Sequence, residues 1–179
     1  MSEITANTAH RFLIFRHGLA TRNPNGYGEQ ILSAPLLDEG IPAIEKLGLF
    51  LAKSAGDFQY CSEILRCRQT AEIVTKITDK QFVFDARLNE YHQEPFPQFV
   101  ERVDSFLVET IEKADRFKQT RDATEEPVTI WICTHGAVIA ALKHLLLEGS
   151  FSQENELDYT QPGELLEIWK KSLQLHIFN

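Results

Sequence analysis

The chain has 179 residues, 43% of them hydrophobic and 25% charged. That balance belongs to one ordinary globular domain and excludes a disordered tail, a collagen-like fibre or a coiled coil. There are 26 acidic residues against 18 basic ones, a net charge of -8, which excludes the basic stripe that nucleic acids need.

The three cysteines, Cys61, Cys67 and Cys133, are odd in number and none sits in a Cys-x-x-Cys pair. They predict buried free thiols, with neither a disulfide framework nor a zinc site. The first ten residues lack the basic and apolar regions of a signal peptide. The longest apolar stretch, 128–147, is broken by His135, Lys143 and His144, so no membrane span is expected. These features predict a cytoplasmic protein without membrane partners.

In chain order, Phe12-Leu13-Ile14-Phe15 is a continuous apolar run, as in a strand buried on both faces. A polar segment follows from Leu19 to Pro35, broken by Pro24, Gly26 and Gly28; a loop so long is usually functional. Asp38 reads as a helix N-cap, with Ile41, Ile44, Leu47 and Leu51 at helical spacing to residue 54. The pattern then predicts a strand over 58–61, a helix over 65–77 and a strand over 81–84. Phe99, Val103, Phe106, Leu107 and Ile111 mark a helix to residue 118. A strand over 128–133 and a helix over 137–147 follow. The acidic segment 148–163 reads as a loop. Residues 165–169 and 173–178 read as a hairpin adding antiparallel edge strands. Apolar runs alternating with helical patterns predict an α/β fold with a mostly parallel central sheet.

Ligands in such sheets bind beyond the carboxyl ends of the strands. The first strand ends in Arg16-His17-Gly18 and the second in Ser62-Glu63-Ile64-Leu65-Arg66. The third leads to Leu88-Asn89-Glu90 and the fourth to Thr134-His135-Gly136. Two arginines, two histidines and a carboxylate therefore meet at one sheet edge. Their spacing is not that of a metal cluster. Arginine forks suit an oxyanion, histidine can act as nucleophile, and glycine lets backbone approach a ligand.

These residues resemble the histidine phosphatase superfamily, also called phosphoglycerate mutase-like. Phe15-Arg16-His17-Gly18 resembles its nucleophile motif, and Asn23 falls where that family has a phosphate-pocket asparagine. Ala34 to Gly40 is similar to the segment opening its first helix. Ser62 to Ala71 resembles its second-arginine motif, with Arg66 as the ligand and Arg68 facing solvent. Leu88-Asn89-Glu90 is similar to its acid motif, and Thr134 to Ile139 to its second-histidine motif. Leu19-Ala20 departs from the polar residue and threonine usual after the first glycine.

The resemblance implies a three-layer α/β/α sandwich with an antiparallel edge on the sheet. It implies one domain over 1–179 with a short cap insertion around 91–127. It further implies a metal-independent phosphomonoesterase of the histidine acid phosphatase type, with no cofactor. Such an enzyme hydrolyses a small phosphorylated metabolite through a phosphohistidine on His17. Arg16, Asn23, Arg66, His135 and Gly136 would bind the phosphoryl group, and Glu90 would exchange the proton. Arg16 and Arg66 are expected to depress the His17 pKa. Tyr27, Tyr91, His92 and Phe96 are candidates for the pocket wall. A phosphoglycerate mutase-type phosphotransferase, a phosphohistidine-protein phosphatase and a non-catalytic phosphate-binding module remain alternatives. The short insertion, with only Arg102, Lys113 and Arg116 as extra cations, favours a phosphatase over a mutase. Oligomeric state is left open.

Overall fold

The computed structural model describes residues 8–121, 125–155, 157 and 159–179. Its six-stranded sheet runs β3-β2-β4-β1-β5-β6, with β1 (Arg11–Arg16), β2 (Phe58–Cys61), β3 (Val83–Phe84), β4 (Thr129–Thr134), β5 (Glu164–Trp169) and β6 (Ser172–Ile177). The pairs β1/β4, β4/β2 and β2/β3 are parallel, whereas β5 lies antiparallel to β1 and β6 to β5. The mostly parallel sheet with an antiparallel edge is therefore borne out.

Alternation along the strands divides the core. Phe12, Ile14, Ile130 and Ile132 point to one face, against α3 (Phe96–Thr120) and α4 (Gly136–Glu148). Leu13, Phe15, Trp131 and Cys133 point to the other, against α1 (Ile41–Ala52) and α2 (Leu65–Thr78). Both β1 and β4 lie under helices on each side, which is why their sequences read as unbroken apolar runs. Three layers result, as the family resemblance implies.

The helix after β1 packs on one face of the sheet and the helix after β4 on the other. The carboxyl ends of β1 and β4 thus form a crevice where the connections diverge, the usual ligand position in open α/β sheets. The register Arg16↔Thr134 and Cys61↔Cys133 brings the ends of β1, β4 and β2 to one level.

Several boundaries differ from the sequence reading. Asp38 is not the N-cap of α1: residues Asp38–Gly40 form a 3₁₀ turn, and α1 begins at Ile41. Pro42 explains this, since a residue without an N–H fits the first helical turn. Similarly, α3 starts at Phe96, with Pro97 in its first turn. Strand β3 keeps only Val83 and Phe84, both exposed at the sheet edge. The segment 91–127, expected to hold a cap insertion, contains the 25-residue helix α3. Its buried face, Phe99, Val103, Phe106, Leu107 and Ile111 among others, belongs to the main core. Cys61, Cys67 and Cys133 are free and buried. Among the described residues no helix is long and apolar enough to cross a membrane.

Candidate active site

His17 follows β1 and is completely buried. Its Nδ1–H donates to its neighbour's carbonyl, Gly18 O, at 2.7 Å. That bond fixes the neutral tautomer and leaves the lone pair on Nε2. Arg66 Nε donates to that lone pair at 3.1 Å, and the Tyr27 hydroxyl lies 3.5 Å from it. Burial holds the His17 pKa well below the ordinary imidazole value, with smaller lowering by His135, Arg16 and Arg66 and an opposing effect of Cys67. The depression expected from sequence is present, but burial is its main cause and the arginines are secondary.

Arg66, in the first turn of α2, is also completely buried. Besides His17, it reaches Ile31 O through Nη1 at 2.5 Å and Glu90 Oε2 through Nη2 at 3.5 Å. The helix is anchored to β1 by Thr70, whose Oγ1 accepts from Gly18 N at 2.9 Å and donates to Arg66 O at 2.8 Å. Arg68 points outward, with Nε donating to Glu63 O at 2.6 Å.

His135 caps α4 and is buried, its ring centre 5.2 Å from that of His17. Its Nε2 lies 2.9 Å from Ser62 Oγ, and Ser62 Oγ donates in turn to Asn89 Oδ1 at 3.0 Å. His135 Nδ1 faces the Glu90 carboxylate at 3.6 Å without a hydrogen-bond partner. Glu90 Oε1 accepts from Tyr91 N at 3.0 Å. Its loop is held by Arg102, which donates to the carbonyls of Glu90 and Arg87 and pairs with the Glu94 carboxylate. Arg16 Nη1 donates to Thr160 O at 3.1 Å, while its Nε is buried and unpartnered. Buried donors seldom stay unpaired, so Arg16 Nε and His135 Nδ1 mark where an acceptor-rich ligand fits.

Above this floor lies a cavity of about 370 Å³. Arg16, Glu90, Tyr91, Gly136 and Ala137 line it together with Asn25, Tyr27, Ile31 and Tyr159. Gly136 and Ala137 put the N-terminus of α4 on the cavity, where free N–H groups and the helix dipole favour an anion.

Arg16, His17, Arg66, Glu90, His135 and Gly136 are thus brought together. Asn23 is not: it is exposed, and its Oδ1 accepts from Asn25 N at 2.9 Å. That local turn consumes its acceptor, and Asn25 lines the cavity instead. Phe96 is also misplaced by the sequence reading. It packs on Phe99 and Phe151 inside the core, and His92 does not line the cavity. Ser62 and Thr70 lie within the second-arginine motif, but a buried hydroxyl leaves no mark in hydropathy. Tyr159 sits in the acidic segment, of which residues 156 and 158 lie outside the described residues.

A model of the histidine phosphatase superfamily (branch 1) matches residues 12–99, the stretch holding Arg16, His17, Arg66 and Glu90. No curated protein matches the sequence significantly. Several solved structures share the fold. Mycobacterial glucosyl-3-phosphoglycerate phosphatase has a TM-score of 0.70 at 16% identity, over 95% of this chain and 98% of that one. A candidate alpha-ribazole-5'-P phosphatase from Escherichia coli gives 0.68 at 20% identity, over 96% and 97%. Phosphoglycerate mutase from Bacillus anthracis gives 0.67 at 14% identity, over 98% and 95%. At such identities the likeness is one of fold, while the family match covers three strand ends and their motifs: residues 12–99 of this chain match the histidine phosphatase superfamily.

Proposed function

We propose that the chain is a phosphatase that hydrolyses a small phosphomonoester through a phosphohistidine on His17. The observation that carries this reading is the state of His17. It is buried and neutral, with Nδ1–H bound to Gly18 O and the Nε2 lone pair facing Arg66 in a cluster of cationic donors.

In the first step Nε2 attacks phosphorus, the P–O bond to the alcohol breaks, and Glu90 gives a proton to the departing oxygen. In the second, water attacks phosphorus, Glu90 takes the water's proton, and the P–N bond breaks with its electron pair returning to Nε2. Ester and water become alcohol and inorganic phosphate. Arg16, Arg66 and His135 stabilise charge on the three equatorial oxygens, the main demand of phosphoryl transfer. Asn25 is better placed than Asn23 to contact those oxygens.

A phosphatase is favoured over a mutase by the fate of the extra cations. Arg102 is bound by Glu94 and two carbonyls, Lys113 pairs with Glu109, and Arg116 is exposed on α3. None lines the cavity.

The test is phosphate release from p-nitrophenyl phosphate, with a ³²P-labelled ester to trap the intermediate. The wild-type chain should turn over and carry an acid-labile, base-stable label. His17→Ala should lose both together. Turnover with a label that survives in His17→Ala would move the nucleophile elsewhere. A folded wild-type chain inactive at every pH would make this a binding module.

A further inference from the structure

We infer that the site selects a leaving group containing an uncharged ring, held between Tyr27 and Tyr159, and rejects esters that carry a second anion. This inference rests on the phosphatase reading and specifies its substrate class.

The two tyrosines are built into the site. Tyr27 stands between Gly26 and Gly28, whose φ angles of +93° and +58° belong to the left-handed region that glycine enters without strain. Its ring lies against the Arg66 guanidinium, 4.2 Å from the ring centre. Tyr159 rests on Gly136, where a Cβ would come within 2.9 Å of Tyr159 Cδ1. The next residue, Thr160, accepts the hydrogen bond from Arg16. Each arginine at the phosphoryl floor is therefore coupled to one tyrosine of the wall: Arg66 to Tyr27, and Arg16 to Tyr159. A phosphoryl group held by the arginines would carry its ester group up between aromatic side chains, with Ile31 and Tyr91 completing the wall.

Aromatic rings bind flat rings by stacking and sugar rings through their C–H faces. Burial, followed by the nearby Glu90 charge, pushes the Tyr159 phenol pKa up, so its O–H remains a donor for ring hydroxyls. A second anion finds no such support. Among the described residues that line the cavity, the only cation is Arg16 and the only other charge is the Glu90 carboxylate. Arg66 lies below, at the phosphoryl floor, while Arg102 pairs with Glu94 and Arg22 with Glu39. A carboxylate or second phosphate would lose its water beside Glu90 without gaining a counter-charge.

The experiment compares kcat/KM for primary alkyl esters, so that the leaving groups are matched. Benzyl phosphate and glucose 6-phosphate carry uncharged rings. Glycerol 3-phosphate carries none, and 3-phosphoglycerate and fructose 1,6-bisphosphate carry a second anion. The ring esters should exceed glycerol 3-phosphate by about tenfold or more, as one added stacking contact implies. The esters with a second anion should be slowest. In Tyr159→Ala the ratio of ring to acyclic ester should fall by about tenfold, mainly through KM, and Tyr159→Phe should keep most of it. Preference for a second anion, or an unchanged ratio in folded Tyr159→Ala, overturns the inference while leaving the phosphatase reading intact. If Tyr159→Ala fails to fold, the wild-type ranking decides. No release from any ester, including p-nitrophenyl phosphate, overturns the phosphatase reading and this inference with it.

Discussion

The chemistry of the site depends on which nitrogen of each histidine carries a proton. His17 gives its Nδ1–H to Gly18 O, so protonating Nε2 would put a charge in a fully buried place beside Arg66. Its lowered pKa has a consequence for stability. Above about pH 6.5, the ordinary imidazole value, folded and unfolded chains are both neutral at this residue. Below it the unfolded chain binds a proton that the folded one refuses. Stability therefore falls with pH, by up to about 1.4 kcal/mol per unit, until the depressed folded pKa is reached. Urea midpoints of wild type and His17→Gln at pH 7 and pH 5 should show a smaller acid loss in the variant. An equal loss would mean that His17 does not refuse the proton.

His135 is organised differently, through Ser62. When Nε2 is protonated, it donates to Ser62 Oγ, and the Ser62 proton goes to Asn89 Oδ1; when it is not, Ser62 can turn its proton to Nε2. The hydroxyl thus supports either state of the ring. Ser62→Ala should lower kcat by about ten- to hundredfold, the equivalent of about 1–3 kcal/mol for an unpaired buried group. Steady-state kinetics on one good ester would check it, and a kcat within twofold of wild type would remove Ser62 from this role.

At the level of elements, the strand ends were readable because each carries a compact motif on a strongly apolar strand. Strands β1 and β4 needed only continuous hydrophobicity, and α2 only its periodic Ala71, Val74 and Ile77. The ends of helices were less readable. Asp38 looked like a cap, but Pro42 decided where α1 begins. The hairpin between β5 and β6 was found by pattern alone, yet its turn chemistry is unusual. Lys170 and Lys171 both have positive φ, 50° and 62°, in a two-residue turn where Asn-Gly is the usual choice. Lys170 lies over the Trp169 ring at 4.9 Å, while Lys171 is exposed. Lys171→Gly should raise stability by about 1 kcal/mol by relieving the left-handed strain. A higher urea midpoint at constant m would show it; a lower midpoint would mean the turn carries no such strain.

For the whole molecule, a net charge of -8 surrounds a site built from Arg16, Arg66 and two histidines. Net charge governs approach from a distance, whereas the lining of the cleft governs what is held there. The acidic body repels a dianionic ester until salt screens it, with a screening length of about 10 Å at 0.1 M. Raising sodium chloride from about 10 to about 150 mM, which shortens that length from about 30 to about 8 Å, should therefore leave kcat/KM unchanged or slightly higher. A steep fall would mean that long-range attraction dominates.

The sequence by itself determined the layered α/β architecture, because burial on two faces demands apolar runs and burial on one face demands helical periodicity. It also picked out Arg16, His17, Arg66, Glu90 and His135 as candidates for one site, because each falls in a short motif that follows a strand. Tertiary structure alone decided the rest. Asn23 turns its oxygen to its own loop, and Phe96 goes to the core. Ser62 and Thr70 hold His135 and the turn after His17 in place, and Tyr159 reaches the cavity from a segment far along the chain. Those outcomes depend on distances between residues remote in sequence, and a hydroxyl or ring in a loop carries no local pattern that records its partner.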